Sequence, residues 1–290
     1  MSFVGEATGV FGLLGKAGNL LRDRLDPARA QAKRLIETFE AYGIARQQIP
    51  RLLPPELKLP NAAFSTPDKL KDKLTSELLD WAADHLAINR AWLDGVSPQP
   101  HLRVDKYKQP TLYRDWLLER QQIASDARCL LLVWKPEGVA VGPNAHGPMC
   151  LVYEEISDGL DGTELSRYWL LSEGWHWDHS PCVSNMVAAV AVAQSLGVMV
   201  IGHDLPSALL EQLEAGKKLA PVVAKQRQHL WHPGDLITPL PRTDTPWRRA
   251  MWKDAQDWLG EDGLHALANG SAGKTNSSMA APAASRVMPS

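Results

Sequence analysis

The feature that most constrains the fold is the segment 183–196, which is apolar on most sides when wound as a helix. Ser180 and Pro181 favour a helix start just before it, and Gly197 favours a helix end just after it. A helix that is apolar nearly all round is stable only when other elements cover it. The chain therefore needs a layered core around this segment, and its 290 residues are enough to build one.

Strand-like runs precede and follow this helix. They are rich in aliphatic residues and occupy 129–134, 149–156, 165–171 and 198–201. Turn-forming residues at 157–163 separate the second run from the third, which predicts an antiparallel hairpin. Further helical patterns cover 111–125, 206–215 and a segment that begins at Thr245. We predict an α+β fold, in which a mixed sheet is covered by the buried central helix and an all-α part precedes both.

Two adjacent carboxylates, Glu154 and Glu155, fall in the middle of the second strand-like run. Neighbouring residues of a strand project to opposite faces of the sheet, so these two side chains cannot serve one site without a bulge. We expect one of them to face solvent.

The composition is that of a folded protein without a general affinity for polyanions. Hydrophobic residues make up 44% of the chain, charged residues make up 22%, and the formal net charge is −2. These values exclude wholesale disorder, and nucleic-acid binding would need a local basic patch. The cysteines at 129, 150 and 182 are odd in number and widely spaced, which favours a reducing compartment, and we expect the cytoplasm. No apolar run reaches the roughly 20 residues of a membrane span.

Clusters of proline, glycine and small polar residues mark the predicted domain boundaries. An amphipathic helix is expected over 1–27, a small helical domain over 28–96 and a linker over 97–110, where Ser97, Pro98, Gln99 and Pro100 resist regular structure. The α+β domain is expected over 111–268, as a sensor, oligomerisation or interaction domain, and an unstructured tail over 269–290.

The front part carries the spacing of several short helices. Apolar residues recur at helical intervals from Ala32 to Tyr42 before Gly43, then come a short segment at 44–53 and, after three prolines, a possible helix start at Ser65 to Asp68. Another stripe follows Thr75 with Leu78, Leu79, Ala82 and Leu86. This part of the chain resembles the lambda-repressor-like (XRE-type) helix-turn-helix domain of bacterial regulators. The resemblance is carried by Leu35, Ile36, Phe39, Tyr42, Gly43 and Ile44, then by Arg46 to Ile49, and then by Leu78 to Gly95.

This resemblance implies a set of DNA-contacting side chains. In that family the second helix supports a third helix that enters the major groove. Arg46 and Gln47 would contact phosphates or bases at the start of the second helix, and the cations that would hold the phosphate backbone are Arg51, Lys69, Lys71 and Lys73. The resemblance also implies double-stranded DNA as a partner and a homodimer that reads two half-sites. The same lysines would equally fit a solvated helix face.

The segment before the central helix collects residue types used in metal binding and nucleophilic catalysis. His176, His179 and Cys182 offer nitrogen and sulfur ligands for zinc. However, strand alternation would turn His176 and His179 apart unless the chain bends, and aromatic packing with helix capping at Ser180 explains the same residues. Cys182 near the positive end of a helix, with a histidine as base, would also make a nucleophile. We assign no metal and no cofactor from the sequence.

Three functions follow from these patterns. The first is a bacterial DNA-binding transcriptional regulator whose rear domain senses a ligand or joins subunits. The second is a protein-interaction adaptor that keeps the helical fold without reading DNA, because Pro54, Pro55 and Pro60 interrupt the region of the third helix. The third is a metal-dependent or cysteine-dependent enzyme of the rear domain, which would use the residues around Cys182.

Overall fold

The computed structural model describes residues 25–238 and 241–269. Within these residues, eleven α-helices surround one six-stranded sheet, so the predicted α+β class is confirmed. The helices are α1 (Pro27–Ala41), α2 (Ile49–Leu52), α3 (Pro67–Leu70), α4 (Ser76–Leu86), α5 (Arg90–Leu93), α6 (Pro110–Ile123), α7 (Ser180–Ser195), α8 (Ser207–Glu214), α9 (Ala220–Ala224), α10 (Pro246–Glu261) and α11 (His265–Ala268). The strands are β1 (Arg103–Val104), β2 (Arg128–Pro136), β3 (Cys150–Asp158), β4 (Glu164–Leu171), β5 (Met199–Leu205) and β6 (Leu230–Trp231).

The sheet is mixed, as the sequence predicts. Its strand order is β1-β4-β3-β2-β5-β6. The central strands β2, β3 and β4 run antiparallel to their neighbours in that group, and β3 and β4 form the predicted hairpin. β5 runs parallel to β2, and β1 runs parallel to β4. The parallel pair of β2 and β5 requires a crossover, and α7 lies in the connection between them.

The predicted buried helix is α7. Its side chains from Cys182 to Ala188 are all buried, and so are those from Val190 to Ala193. Pro181 stands in its first turn, and Gly197 just after it has a φ of +75°, a left-handed conformation that suits glycine at a helix end. The helix packs against α6, α10 and one face of the sheet, where Leu131 and Val133 point. The apolar run is therefore buried because helices and sheet surround it.

The other face of the sheet is covered by the front helices together with α8 and α9. Leu132 and Val152 on this face share one buried cluster with Phe39 of α1 and Leu86 of α4. The sheet thus has helices on both faces. The expectation that Glu154 or Glu155 faces solvent is wrong, because their exposed fractions are 2% and 0%.

Each of these two carboxylates is paired on its own face of the sheet. Glu155 accepts hydrogen bonds from Arg120 at 2.8 Å and from Arg167 at 2.6 Å, whereas Glu154 accepts one from Arg227 at 3.0 Å. Burial of a carboxylate is tolerable only with such partners. These pairs hold α6, β4 and the segment after α9 against the centre of the sheet.

The front region forms α1 and α4 as full helices and only short turns between them. The predicted second helix at 44–53 is reduced to the four residues of α2, and the predicted helix after Ser65 is α3 followed by a 3₁₀ turn at Lys71–Lys73. Two more 3₁₀ turns, Pro55–Leu57 and Asn61–Ser65, occupy the proline-rich stretch, where proline removes helical donors. The helix-turn-helix assignment and the domain division stay predictions.

Three further sequence predictions concern the ends of the chain and membranes. The amphipathic helix over 1–27 falls almost wholly outside the described residues, and the tail over 269–290 does so beyond Asn269. Among the helices that the structure describes, none combines the length and the apolar character needed to cross a bilayer.

Candidate active site around Cys182

Three of the six residues predicted to contact DNA are engaged in ion pairs. Arg46 binds Glu40 through Nε at 2.7 Å and Nη2 at 3.2 Å, and Lys71 Nζ lies 2.6 Å from Asp26. Asp26 and Glu40 lie at opposite ends of α1, about 20 Å apart along the helix axis at a rise of about 1.5 Å per residue. These carboxylates neutralise Arg46 and Lys71.

The remaining predicted DNA contacts divide into one paired and three exposed side chains. Arg51 makes a two-pronged ion pair with Asp161 in the β3–β4 connection, at 2.6 and 2.7 Å. This contact lowers the pKa of the Asp161 carboxyl, and it points the guanidinium of α2 toward the hairpin. Gln47, Lys69 and Lys73 are exposed.

The segment that leads into α7 is held by the loop at 142–149. Met149 N donates to Trp175 O at 2.8 Å, and Trp177 N donates to Gly147 O at 3.0 Å. This strand-like pairing turns Trp175 and Trp177 inward, where both are buried, and leaves His176 on the exposed side. The alternation expected from the sequence is therefore observed, and a turn follows it before the helix.

That turn brings His179 onto Cys182. Nδ1 of His179 lies 3.2 Å from Sγ of Cys182. His179 occupies the N-cap position of α7 but makes no side-chain capping bond to the backbone, so its ring nitrogen faces the sulfur instead. The Cys182 backbone N–H donates to His179 O at 2.9 Å, which fixes the spacing of the pair. The two residues are only three positions apart, and the turn at the start of α7 brings their side chains together.

A third polar group reaches the same sulfur from a distant part of the chain. The hydroxyl of Tyr107 lies 3.6 Å from Cys182 Sγ. Burial, followed by contact with this sulfur, raises the pKa of the Tyr107 hydroxyl. The hydroxyl therefore keeps its proton at neutral pH and can donate to a thiolate.

The sulfur also lies in the first turn of a helix of 16 residues. The aligned peptide groups of such a helix place the equivalent of about half a positive charge at its N-terminus. Among the described residues, no side chain is recorded as a hydrogen-bond partner of His179 Nε2, so the arrangement is a cysteine–histidine dyad with Tyr107 and a helix terminus beside it.

A narrow cleft opens beside this dyad. The space inside it that a water-sized sphere can occupy is only about 20 Å³, and it is lined by Val104, Lys106, Pro110, Tyr113, Leu151, Leu171, Ser172, Trp175, Asn185 and Ala189. Asn185 lies one turn of α7 beyond Cys182. The ring of Tyr107 packs edge-on against Trp175, with 5.2 Å between the ring centroids. Tyr107 therefore contacts both the sulfur and one residue of the cleft wall.

The other two cysteines have different surroundings. Cys150 is buried, and its thiol donates to Oε1 of Glu214 at 3.2 Å. Burial and then the Glu214 carboxylate raise the pKa of the Cys150 thiol well above its ordinary value. Cys129 is half-buried, with Sγ 3.7 Å from Ala127 O. Neither cysteine has a histidine contact in the described structure.

The metal candidates do not form a metal centre. Within 25–238 and 241–269, no group of three or more His, Cys, Asp or Glu side chains is placed to hold an ion. His176 turns away toward Asp178, with 3.7 Å between Nδ1 and Oδ1. The structure brings together His179 and Cys182 but leaves His176 apart from them.

Sequence reasoning missed Tyr107, Lys106 and Tyr113. The first two lie in the segment predicted as a linker, and Tyr113 lies in a helix that carried no motif. An aromatic and two lysines at 106–108 were the only sequence signal available. Comparisons with protein-family models, curated proteins and solved structures find no match for this chain. The dyad and its cleft are therefore the basis for a function.

Proposed function

We propose that the protein is a cysteine-dependent enzyme of acyl transfer, with Cys182 as the nucleophile and His179 as the general base. The observation that carries this proposal is the 3.2 Å contact between His179 Nδ1 and Cys182 Sγ at the start of α7. A thiol, an adjacent base and a helix N-terminus are the elements that activate a cysteine. The chemistry suits an amide, ester or thioester substrate.

The steps follow from the positions of these groups. The thiol proton moves to Nδ1 of His179, and the thiolate attacks the acyl carbon to form a C–S bond. The tetrahedral intermediate collapses, the bond to the amine, alcohol or thiol leaving group breaks, and the imidazolium returns the proton to that group. Water, deprotonated by His179, then attacks the thioester, so that the carboxylic acid leaves and the Cys182 thiol is restored.

Tyr107 has a supporting role in this scheme. Its hydroxyl can donate to the thiolate in the resting pair, because it lies 3.6 Å from the sulfur and keeps its proton. When the sulfur becomes covalently bound, this donor loses its anionic acceptor and is free to turn toward the acyl oxygen. Tyr107 is half-buried, so such a rotation needs no unfolding of the core.

Alkylation with iodoacetamide, followed by intact and peptide mass spectrometry, tests the dyad. We expect Cys182 to react before Cys129 and Cys150 near pH 7, because only Cys182 has a base and a helix terminus beside it. His179→Ala should slow its alkylation by about tenfold or more, a typical contribution of a positioned base being 10²–10⁴ in rate.

His176→Ala is the matched control, since it removes an exposed histidine three residues away that does not touch the sulfur. It should leave the alkylation rate unchanged. Equal rates in the two histidine variants, or faster labelling of Cys129 than of Cys182, would contradict the proposed dyad.

DNA-binding regulation and an adaptor role stay predictions from the sequence, as do a homodimer and the cytoplasm. Three of the six expected DNA contacts are engaged in ion pairs, while Gln47, Lys69 and Lys73 are exposed. A mobility-shift assay with genomic fragments at low and moderate salt tests the regulator. The family resemblance predicts retardation that weakens in a Lys69→Ala, Lys73→Ala double variant.

A further inference from the structure

The sulfur of Cys182 is almost completely covered. Its residue is only 7% exposed, although it stands in the first turn of α7. Two partly exposed side chains, His179 and Tyr107, touch the sulfur and therefore exclude water from part of its surface. A nucleophile has to reach its substrate, so a group that covers the sulfur must move before a large molecule can react with it.

Tyr107 lies in the short connection between β1 and α6, and both ends of this connection are fixed. At its start, Ser172 Oγ donates to the Asp105 carboxylate at 3.1 Å. At its end, the buried Pro110 begins α6. The part between these two points, residues 106–109, is called the Tyr107 turn below. It is the segment that can move without displacing the sheet or α6.

The Tyr107 turn has a strained backbone. Gln109 N donates to Lys106 O at 3.1 Å, which closes the turn. Its third residue, Lys108, has a φ of +59°, a left-handed conformation that glycine adopts readily and lysine adopts rarely. Such a conformation persists only where surrounding contacts hold it, and it is found preferentially at functional sites.

Two contacts hold Lys108 in this conformation. Its N–H donates to Oδ1 of Asn185 at 3.3 Å, and Asn185 is a buried residue of α7 one turn beyond Cys182. Its ammonium lies 4.9 Å from the ring centroid of Trp258 and 5.3 Å from that of Tyr107. Lys108 itself is exposed, where a cation–π contact is weak. The hydrogen bond to Asn185 is therefore the firmer of the two contacts.

We infer that Asn185 is a positioning residue that holds the Tyr107 turn closed over Cys182, and that the turn lifts from α7 to admit a bulky acyl donor. The inference rests on the proposed function, since it describes how a substrate reaches that nucleophile. In the closed position, Tyr107 keeps its hydroxyl beside the sulfur and shields the thiol from large reagents. Release of one hydrogen bond and one exposed contact opens the turn without unfolding the core.

The ratio of two alkylation rates tests this arrangement. N-ethylmaleimide and fluorescein-5-maleimide add to a thiolate by the same reaction, so the ionised fraction of Cys182 cancels from the ratio of the bulky to the small reagent. A minor open state is typically about 0.1–10% populated, so this ratio should be about tenfold or more lower in the folded protein than in urea. Mass spectrometry of the Cys182 peptide measures both rates. Equal ratios in the two conditions would overturn the inference.

Variants separate the ring, the hydroxyl and the anchor. Tyr107→Ala should raise the ratio toward its value in urea, whereas Tyr107→Phe keeps the ring and should leave the ratio close to that of the wild type. Asn185→Leu has a similar volume but no acceptor for the Lys108 N–H, and it should raise the ratio by about fivefold, the equivalent of one ordinary hydrogen bond. Asn185→Asp keeps an acceptor and should restore the wild-type ratio.

Gln109→Ala is the matched control in the same turn. The Gln109 side chain is exposed and makes no capping bond to α6, so its loss should not change the ratio. An unchanged ratio in Tyr107→Ala or in folded Asn185→Leu would refute the positioning role, as would equal ratios in Asn185→Asp and Asn185→Leu. If Asn185→Leu does not fold, Tyr107→Ala decides alone.

The inference and the proposed function fail in different ways. The rate with N-ethylmaleimide reports the dyad through its response to His179→Ala, whereas the ratio of the two reagents reports access. A rate that ignores His179→Ala, together with a ratio that responds to Tyr107→Ala, removes the dyad and keeps the covering turn. The opposite result keeps the dyad and removes the role of Asn185.

Discussion

Cys182 and Cys150 lie on opposite sides of one sheet, and their surroundings assign them opposite chemistry. Cys182 meets His179, Tyr107 and the start of α7. Cys150 is buried in the cluster formed with the front helices and meets the carboxylate of Glu214. Both thiols are buried, but Cys182 has a base and a helix N-terminus beside it, whereas the carboxylate beside Cys150 adds to burial in raising the pKa of that thiol.

His179 and His101 also differ in burial and in hydrogen-bond partners. His179 is exposed and directs a ring nitrogen at the sulfur. His101 is 2% exposed, and its Nε2 accepts a hydrogen bond from Ala220 N at 2.7 Å. Burial lowers the pKa of His101 to about 3. One histidine places a ring nitrogen beside a thiol, and the other accepts a hydrogen bond from a backbone amide in the core.

Replacing the cysteines with alanine one at a time should give the largest difference between the two sites. With p-nitrophenyl butanoate as the acyl donor, Cys182→Ala should lose acyl transfer by about 1,000-fold or more, because the nucleophile is gone. Cys150→Ala should retain it. Intact mass spectrometry of the acyl adduct and release of p-nitrophenol report the outcome, and an adduct that persists in Cys182→Ala would refute the assignment.

The histidine pair offers the next largest effect, on stability. His101→Ala should lower the free energy of unfolding by about 2–4 kcal/mol, since it opens a cavity and leaves the Ala220 N–H unpaired. His179→Ala should change stability much less because its side chain is exposed. Urea unfolding of both variants measures this difference. A similar loss in both would show that His179 has a structural role.

The buried His101 should also make the stability of the protein depend on pH in acid. The pKa of His101 is lower in the folded protein than in the unfolded chain, so the unfolded state takes up the proton first as pH falls. Stability should therefore decline as pH drops from about 6.5, the ordinary histidine value, toward 3. Unfolding curves at several pH values should show this component in the wild type and not in His101→Gln. An identical decline in both proteins would assign it to other groups.

The smallest expected effect concerns Cys150 in alkali. Its folded pKa is raised, so its contribution is fully present below the ordinary thiol value of about 8.5 and is lost as pH rises above that value. The loss is at most about 1.4 kcal/mol for each pH unit. Comparison of the stability slope between pH 8 and 9.5 in wild type and Cys150→Ala measures it. A steeper slope in the variant would contradict the buried, protonated thiol.

Local sequence patterns predicted most of the helices and strands. The apolar run that became α7, the turn residues between β3 and β4, and Gly197 after the helix all act through neighbours in the chain. The pair of His179 and Cys182 was within reach for the same reason, since three residues separate them at a helix start. The carboxylates Glu154 and Glu155 were misjudged because strand alternation says nothing about how many layers cover the sheet.

The buried central helix, the strands of a mixed sheet and a cysteine in the first turn of that helix follow from the sequence alone, because periodicity, turn residues and helix caps involve only a few neighbouring residues. The contact between Tyr107 and Cys182, which are 75 positions apart, became visible in the folded protein. The same is true of Tyr113 and Lys106 in the cleft wall and of the ion pair between Arg51 and Asp161. Such contacts depend on how distant elements pack, and no local pattern encodes which side chains then meet.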